Sequence, residues 1–544
     1  MSPTPLSPLL ACWQSPDGLG VPSEAIRARF AEVQQPILDS VGGIWPELVL
    51  AIAAMAVLLI DLATPRAKSR SVTTAVAGVG LLVALGCVWL KWPVGDGVLR
   101  SLFPSVTGEA GSYVRSGTGM LTTDTFASFL KMIFLLGTGV TAWLTLAHRD
   151  FAGRRMGEYW LLMLTSVLGM CLMVSSTDFL MAYLAIEMVS ISSFVLVAYT
   201  REDTRASEAG LKYVIYGAMA SGMMLYGVSF FYGVTGTTRF DALPVMMRSL
   251  GDPIAVTVAG VFTLAGIAYK VAAAPFHFWA PDVYEGAPTP VTAWLSVTSK
   301  AAGVGLLVRL VWSADAQPGA GAPLVSWGML AALLAAATMT VGNLGALRQR
   351  NVKRLLAYSS IAHAGYLTMA VAAIGAGGEG ETAAWQAISF YLVVYACMNL
   401  GSFAIVMFVR NQTGSEDIEA YRGLGWRQPW LAFFFTVLLF ALIGIPPTAG
   451  FVGKLYLFQA VLDVEGGRYV WLAVVAGVNT AISAYYYMSL VKTMYLDEAT
   501  ADTPSFPFAP PAIGTVAALT APVLVLGVFV TPLLSWVMRL GLGG

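Results

Sequence analysis

Charge is what this sequence has least of. Only 11% of its 544 residues are Asp, Glu, Lys or Arg, against about a quarter in an ordinary soluble domain. The 31 basic and 31 acidic residues cancel, so no basic surface suited to nucleic acid is expected. The four cysteines, Cys12, Cys87, Cys171 and Cys397, lie far apart and form no CxxC pair. That argues against a disulfide framework and against zinc or iron–sulfur ligation. Three histidines in the whole chain leave no basis for a histidine-rich metal site. The glycine-rich run from Gly375 to Gly380 resembles a phosphate loop, but it joins two apolar runs with no strand before it, and reads as a connector.

What the chain has in abundance is apolar length. It is 57% hydrophobic, with a mean hydropathy of +0.72. Runs long enough to cross a ~30 Å hydrocarbon core fall near 44–63, 72–92, 121–147, 157–176, 178–200, 206–232, 255–279, 289–312, 322–345, 351–374, 383–409, 429–460, 469–494 and 512–539. The expected fold is therefore an all-α polytopic membrane protein of about fourteen transmembrane helices. Residues 1–43 lack a continuous apolar core of the kind found in cleavable signal peptides, and the stretch 93–119 reads as a Gly-rich loop. With the N-terminus outside, sixteen Lys and Arg, Lys353 among them, fall on the loops between odd and even helices, and ten, Arg309 among them, on the opposite side. By the positive-inside rule, the richer face is cytoplasmic.

Five lysines and one glutamate fall inside the proposed spans: Lys131, Lys212, Lys270, Lys300, Lys454 and Glu187. A charge at the bilayer centre costs ~2.5–3.5 kcal/mol on insertion scales, so such residues mark ion paths or wet cavities. Lys300 stands eleven residues past Thr289, ~16 Å deep at ~1.5 Å per residue. Glu187 is eight residues past Phe179, ~12 Å in. Lys212 is six residues into its run, shallow enough to snorkel, and is read as the partner of Glu187. Lys131 shares a helix face with Asp124, two turns earlier, which suggests a structural role.

Two spans are interrupted. Pro275 follows Lys270 by five residues, and Pro446-Pro447 precede Lys454. Proline removes a backbone donor and clashes with the preceding turn, so both helices should break, and the freed carbonyls must find partners. One broken helix beside a buried lysine in each half points to inverted repeats. These are placed at 157–312 and 322–494, five helices each, after three helices over 44–147 and before a last one over 512–539. His277, just past the first break, and His363, with Ser359 and Ser360 one turn away, complete a possible proton relay.

Three segments together carry a family resemblance: PFHFWAPDVYEGAPTPVTAWLSVTSKAAG from Pro275, GNLGALRQRNVKRLLAYSSIAHAGY from Gly342 and GIPPTAGFVGK from Gly444. The chain resembles the subunit N family of bacterial complex I (NADH-quinone oxidoreductase), the counterpart of mitochondrial subunit 2 and one of the antiporter-like subunits. The likeness runs from about Trp45 to Trp536. It implies fourteen helices with five-helix inverted repeats, in a multi-pass protein of the bacterial inner membrane. It implies that Glu187 and Lys212 pair, that Lys270 holds the transported proton, and that Lys300 passes it through His363 to Lys454. It further implies that this subunit binds no cofactor. NADH, FMN, iron–sulfur clusters and quinone would belong to the other membrane and peripheral subunits. The alternative is a subunit of a multi-subunit cation/proton antiporter, which shares the fold.

Overall fold

The computed structural model describes residues 43–90, 114–115, 119–244, 253–315, 326–498 and 510–537. Cys12, most of the 93–119 loop, and Arg27, Arg29, Lys91, Arg100, Arg248 and Arg539 of the charge count lie outside them, as do residues 1–42.

Thirteen of the described helices are long and apolar enough to cross a membrane. In chain order they begin with α1 (Trp45–Ala63), α2 (Arg66–Leu90), α3 (Thr125–Ala147), α4 (Gly157–Ser175), α5 (Phe179–Val197) and α6 (Thr204–Thr235). The seventh span is broken into α7 (Pro253–Val271) and the short α8 (Trp279–Gly286). Then come α9 (Thr289–Ala314), α10 (Trp327–Ala346), α11 (Val352–Ile374) and α12 (Gly378–Thr413). The twelfth span is also broken, into α13 (Pro429–Ile443) and α14 (Ala449–Leu462), each too short to cross alone. It is followed by α15 (Val470–Tyr495), α16 (Pro510–Val528) and α17 (Thr531–Val537). With this broken pair counted as one span, the described residues hold fourteen. In each group of five, α4 to α9 and α10 to α15, the broken span stands fourth. The last span divides at Phe529–Val530, where a single helix was expected.

Beside the helices, Val114–Arg115 pairs with Thr122–Thr123 as two short antiparallel strands ahead of α3. Polar side chains set the helix starts. Asp124 accepts from Ala127 N–H, Asp178 from Leu180, Asp203 from Arg205, Ser326 from Met329 and Asn351 from Arg354, each satisfying a donor the first turn leaves orphaned. Helices α10 and α11 pack backbone against backbone. A Cβ at Gly342 would press on Ala362 N, and one at Gly365 on Met339 N. Small residues permit this approach where helix association depends on van der Waals contact. Large apolar side chains such as Leu62, Leu82, Val474 and Val525 point outward, as lipid-facing positions must.

A path of buried lysines, hydroxyls and a histidine

The first break begins where α7 ends. Ala272 holds φ +58°, a left-handed conformation that costs a non-glycine residue energy. The chain then leaves the helix through Pro275. Its freed groups find partners: Ala274 N–H donates to Thr338 Oγ1 of α10 at 3.0 Å, and the indole Nε1 of Trp279 donates to Tyr269 O at 3.0 Å. Lys270, in the last turn of α7, is buried. Its ammonium reaches Ser190 Oγ at 3.3 Å, and its stem lies against Gly303 of α9. Glu187 stands three residues before Ser190, on the same α5 face, and its charge acts on Lys270. Glu187 Oε1 is buried without a hydrogen-bond partner among the described residues.

The expected pairing of Glu187 with Lys212 is therefore corrected. Lys212 Nζ binds Glu208 at 2.8 Å and Asp282 at 2.9 Å, and its side chain is 40% exposed. The reason is helix rotation. The α6 face turned to α5 carries Gly210, Tyr213 and Gly217, which meet Ala198 and Phe194. Lys212 points off that stripe.

Lys300 sits immediately after a π-helical turn, Leu295–Ser299, inside α9. Such widened turns recur at functional sites. Its ammonium donates to Ser360 Oγ of α11 at 2.6 Å and lies 5.6 Å from the Tyr284 ring centre. Ser360, His363 and Tyr366 follow at three-residue spacing along one α11 face. His363 Nδ1 and Tyr391 Oη are 2.6 Å apart, and the charges of both Lys300 and Lys454 act on the imidazole. Lys454 Nζ stands 4.7 Å from the Tyr366 ring centre.

At the second break Lys454 donates to Leu442 O at 3.0 Å and Ile443 O at 2.8 Å. These are the last carbonyls of α13, freed by the break and at the negative end of its dipole. The cation thus satisfies the groups that Pro446 and Pro447 leave open. A Cβ at Gly450 would collide with the Ala441 carbonyl, and one at Gly527 of α16 with Pro447 O, so glycines let α14 and α16 close over the break.

His277 is buried in the first break, against Phe278, with Nδ1 unpaired among the described residues. Among the described residues it forms no hydrogen bond with Lys300 or Ser360, although the Lys300 charge reaches it.

Other buried cations carry carboxylates. Lys131 pairs with Glu47 of α1 at 2.6 Å, not with Asp124, which binds Arg309 through both oxygens at 2.7 and 2.9 Å. Asp124 is held at the α3 N-terminus as its cap, so it cannot also reach two turns along the helix to Lys131. Arg309 was counted among the loop residues, yet it is 2% exposed within α9. Lys353, also counted as a loop residue, is buried against Glu416 at 3.0 Å and Ala287 O at 2.7 Å.

Glu416 joins a wider network. Arg410 binds it at 3.1 Å and Asp150 at 2.8 Å, and donates to His148 Nε2. Burial pushes the His148 imidazole down to about 4. A cavity of about 250 Å³ opens here, lined by Asp150, Arg205, Lys353, Arg410 and Glu416 among others. Its basic residues all belong to the loop face richer in Lys and Arg. Lys353 lies seven residues before Ser360 on α11, ~10 Å along the helix. Sequence reasoning missed this network because its members look like ordinary loop charges.

Among the described residues no group of three or more His, Cys, Asp or Glu side chains could hold a metal ion.

The NADH:quinone oxidoreductase/Mrp antiporter transmembrane family model matches residues 176–483. That region includes both breaks and every member of the path. A protein of Anaeromyxobacter sp. (strain Fw109-5), named NADH-quinone oxidoreductase subunit N, is 42% identical over 521 residues, covering 90% of this chain and 94% of its own. One from Sorangium cellulosum (strain So ce56), named NADH-quinone oxidoreductase subunit N 2, is 42% identical over 510 residues, covering 91% and 96%. Among solved structures, a chain of respiratory complex I from Thermus thermophilus superposes with a TM-score of 0.72 at 31% identity, over 91% of this chain and all of that one. A chain of the Mrp complex from Dietzia sp. DQ12-45-1b shares the fold, with a TM-score of 0.74 at 22% identity. A broken-helix pair, a matching family model and relatives of this identity and coverage place the chain in the NADH:quinone oxidoreductase/Mrp antiporter transmembrane family.

Proposed function

We propose that this chain is the subunit N of a bacterial NADH-quinone oxidoreductase, a multi-pass inner-membrane subunit that moves protons and carries no redox group. The observation that carries the proton-moving part is the α11 face bearing Ser360, His363 and Tyr366. It meets Lys300 at one end and Lys454 at the other. Neither lysine makes an ion pair among the described residues; their partners are a hydroxyl and backbone carbonyls. Burial disfavours the charged form of an amine, so a neutral partner leaves the charge free to come and go.

In this reading the basic loop face is cytoplasmic, and the Asp150–Arg410–Glu416 cavity is where protons gather. Lys270 is loaded and unloaded under the field of Glu187. Lys300 accepts the proton, His363 passes it along α11, and Lys454 holds it on the far side of the second break. Moving one charge against 100 mV costs ~2.3 kcal/mol, within the range that a change of partner at a buried group supplies. NADH, FMN, iron–sulfur clusters and quinone act in the partner subunits.

The test is His363→Ala and Lys300→Ala in the intact complex, in sealed membrane vesicles. Both should assemble and lose most NADH-driven proton uptake. Uptake equal to that of the unmodified complex removes the path from the mechanism. Extraction in mild detergent separates this assignment from an antiporter subunit, since only the former co-purifies with flavin and iron–sulfur subunits.

A further inference from the structure

A second line of buried polar side chains runs between the same two lysines and avoids His363. It starts at Tyr366, whose ring lies beside Lys454 and whose hydroxyl accepts from Thr480 Oγ1 at 3.2 Å. Asn343 of α10 meets Asn479 of α15, the residue before Thr480. Tyr486 Oη donates to Asn343 Oδ1 at 3.0 Å. The Tyr486 and Tyr487 rings lie 4.4 Å apart, and the Tyr487 hydroxyl bonds Ser359, the neighbour of the Ser360 that holds Lys300. Asn343 is fully buried, and Asn479 and Ser483 nearly so.

Every member of this connection except two is a hydroxyl, and a hydroxyl donates and accepts at one atom, so it can hand a proton on by turning. The exceptions are Asn343 and Asn479, at its centre. Both N–H groups of Asn343 are committed, one to Met339 O at 2.9 Å and one to Asn479 Oδ1 at 3.2 Å. Both N–H groups of Asn479 are committed as well, to Val475 O at 3.0 Å and Thr340 Oγ1 at 3.2 Å. The backbone carbonyls of Met339 and Val475 accept only, so neither amide can flip without setting oxygen against oxygen. An amide in this position offers oxygen on one side and nitrogen on the other. A proton arriving at the oxygen could leave only from a nitrogen that is not basic.

We infer that the Asn343–Asn479 amide pair is a proton insulator, which closes this bypass and leaves His363 as the way between Lys300 and Lys454. The inference rests on the proton-moving reading above. It concerns residues that reading does not use.

The experiment replaces Asn343 in the intact complex and measures, in sealed vesicles, protons moved per quinone reduced, in the parent and in a His363→Ala background. Asn343→Asp puts a group that accepts and releases a proton where the amide stood. It should lower the proton-to-quinone ratio while quinone reduction continues, and should relieve the His363→Ala defect several-fold. Asn343→Leu removes the polar group and should keep the parental ratio with no relief of His363→Ala. An Asn343→Leu complex that assembles and loses proton movement shows that the amide conducts, and overturns the inference. So does Asn343→Asp with an unchanged ratio and no relief. If Asn343→Asp does not assemble, Asn479→Asp carries the same expectation, and the Leu variant still decides. Lys454→Ala in the same vesicles reports separately on the underlying reading: if it pumps like the parent, that reading fails, whatever the Asn343 variants do.

Discussion

Six buried cations among the described residues mark two kinds of place in the molecule. Lys131, Arg309 and Lys353 each hold a carboxylate, Glu47, Asp124 and Glu416, at 2.6 to 3.0 Å. Lys270, Lys300 and Lys454 hold a serine hydroxyl, another serine hydroxyl and two backbone carbonyls. The first set sits off the breaks and ties α1 to α3, α3 to α9 and the α11 start to the chain beyond α12. The second set sits at the breaks and along the α9–α11 contact. A carboxylate fixes its partner's charge, because removing either member strands a buried ion. A hydroxyl or carbonyl imposes no such requirement, so on the proposed function the same residue type is a tether in one place and a carrier in the other.

The contrast breaks most sharply at Lys270. Lys270→Ala is expected to leave the complex assembled and cut proton pumping by roughly tenfold or more, equivalent to ~1.4 kcal/mol or more of lost coupling. Vesicle acidification and coupled quinone reductase rate measure it; full pumping would put Lys270 among the tethers.

Lys454 separates carrier from counter-charge. Arg keeps donors for the Leu442 and Ile443 carbonyls but stays protonated at every relevant pH. A Glu there can donate one hydrogen bond as the neutral acid and can also release its proton. Lys454→Glu should therefore pump better than Lys454→Arg at matched assembly. The reverse order makes Lys454 a fixed charge on the α13 terminus.

On the tether side, Lys131→Met should lower complex stability by about 3–5 kcal/mol, since Glu47 is left buried and unpaired. Adding Glu47→Leu should restore most of it. Thermal melting and yield of assembled complex report both, and pumping per assembled complex should not change. A carrier role at Lys131 would reverse that last result.

The smallest effect belongs to Lys212. Its side chain is 40% exposed, with Glu208 exposed and Asp282 half-buried, and pairs open to water contribute about 1 kcal/mol or less. Lys212→Ala should change little, and with Glu187→Ala the losses should add, as they do for sites with no shared partner. A strongly non-additive double variant would restore the coupling that the structure does not place there.

Much of this was legible in the chain. Fourteen spans followed from apolar run lengths, and both breaks from Pro275 and Pro446-Pro447, whose chemistry is local. Lys300 was placed by a residue count along its run, and Lys270 and Lys454 by the proline breaks beside them. Partners did not. Glu187 and Lys212 were paired as intramembrane charges on adjacent helices, and only the rotation of α6 shows that Tyr213 takes the inward position. Arg309 and Lys353 looked like loop charges because a run's boundary is uncertain by a turn. Glu47, Asn343 and Asn479 carried no signal, since a single polar residue in an apolar run does not reveal which neighbour it will meet.

The sequence by itself determined that this protein crosses the membrane repeatedly, where two of its helices break, and that Lys270, Lys300 and Lys454 lie within its spans. Those are properties of run length, proline and spacing, each set within a few residues of chain. Tertiary structure alone decided which buried cations are neutralised and which are not. That depends on how each helix turns about its axis and what a distant helix presents to it, and 100° of rotation separates an ion pair from an exposed side chain.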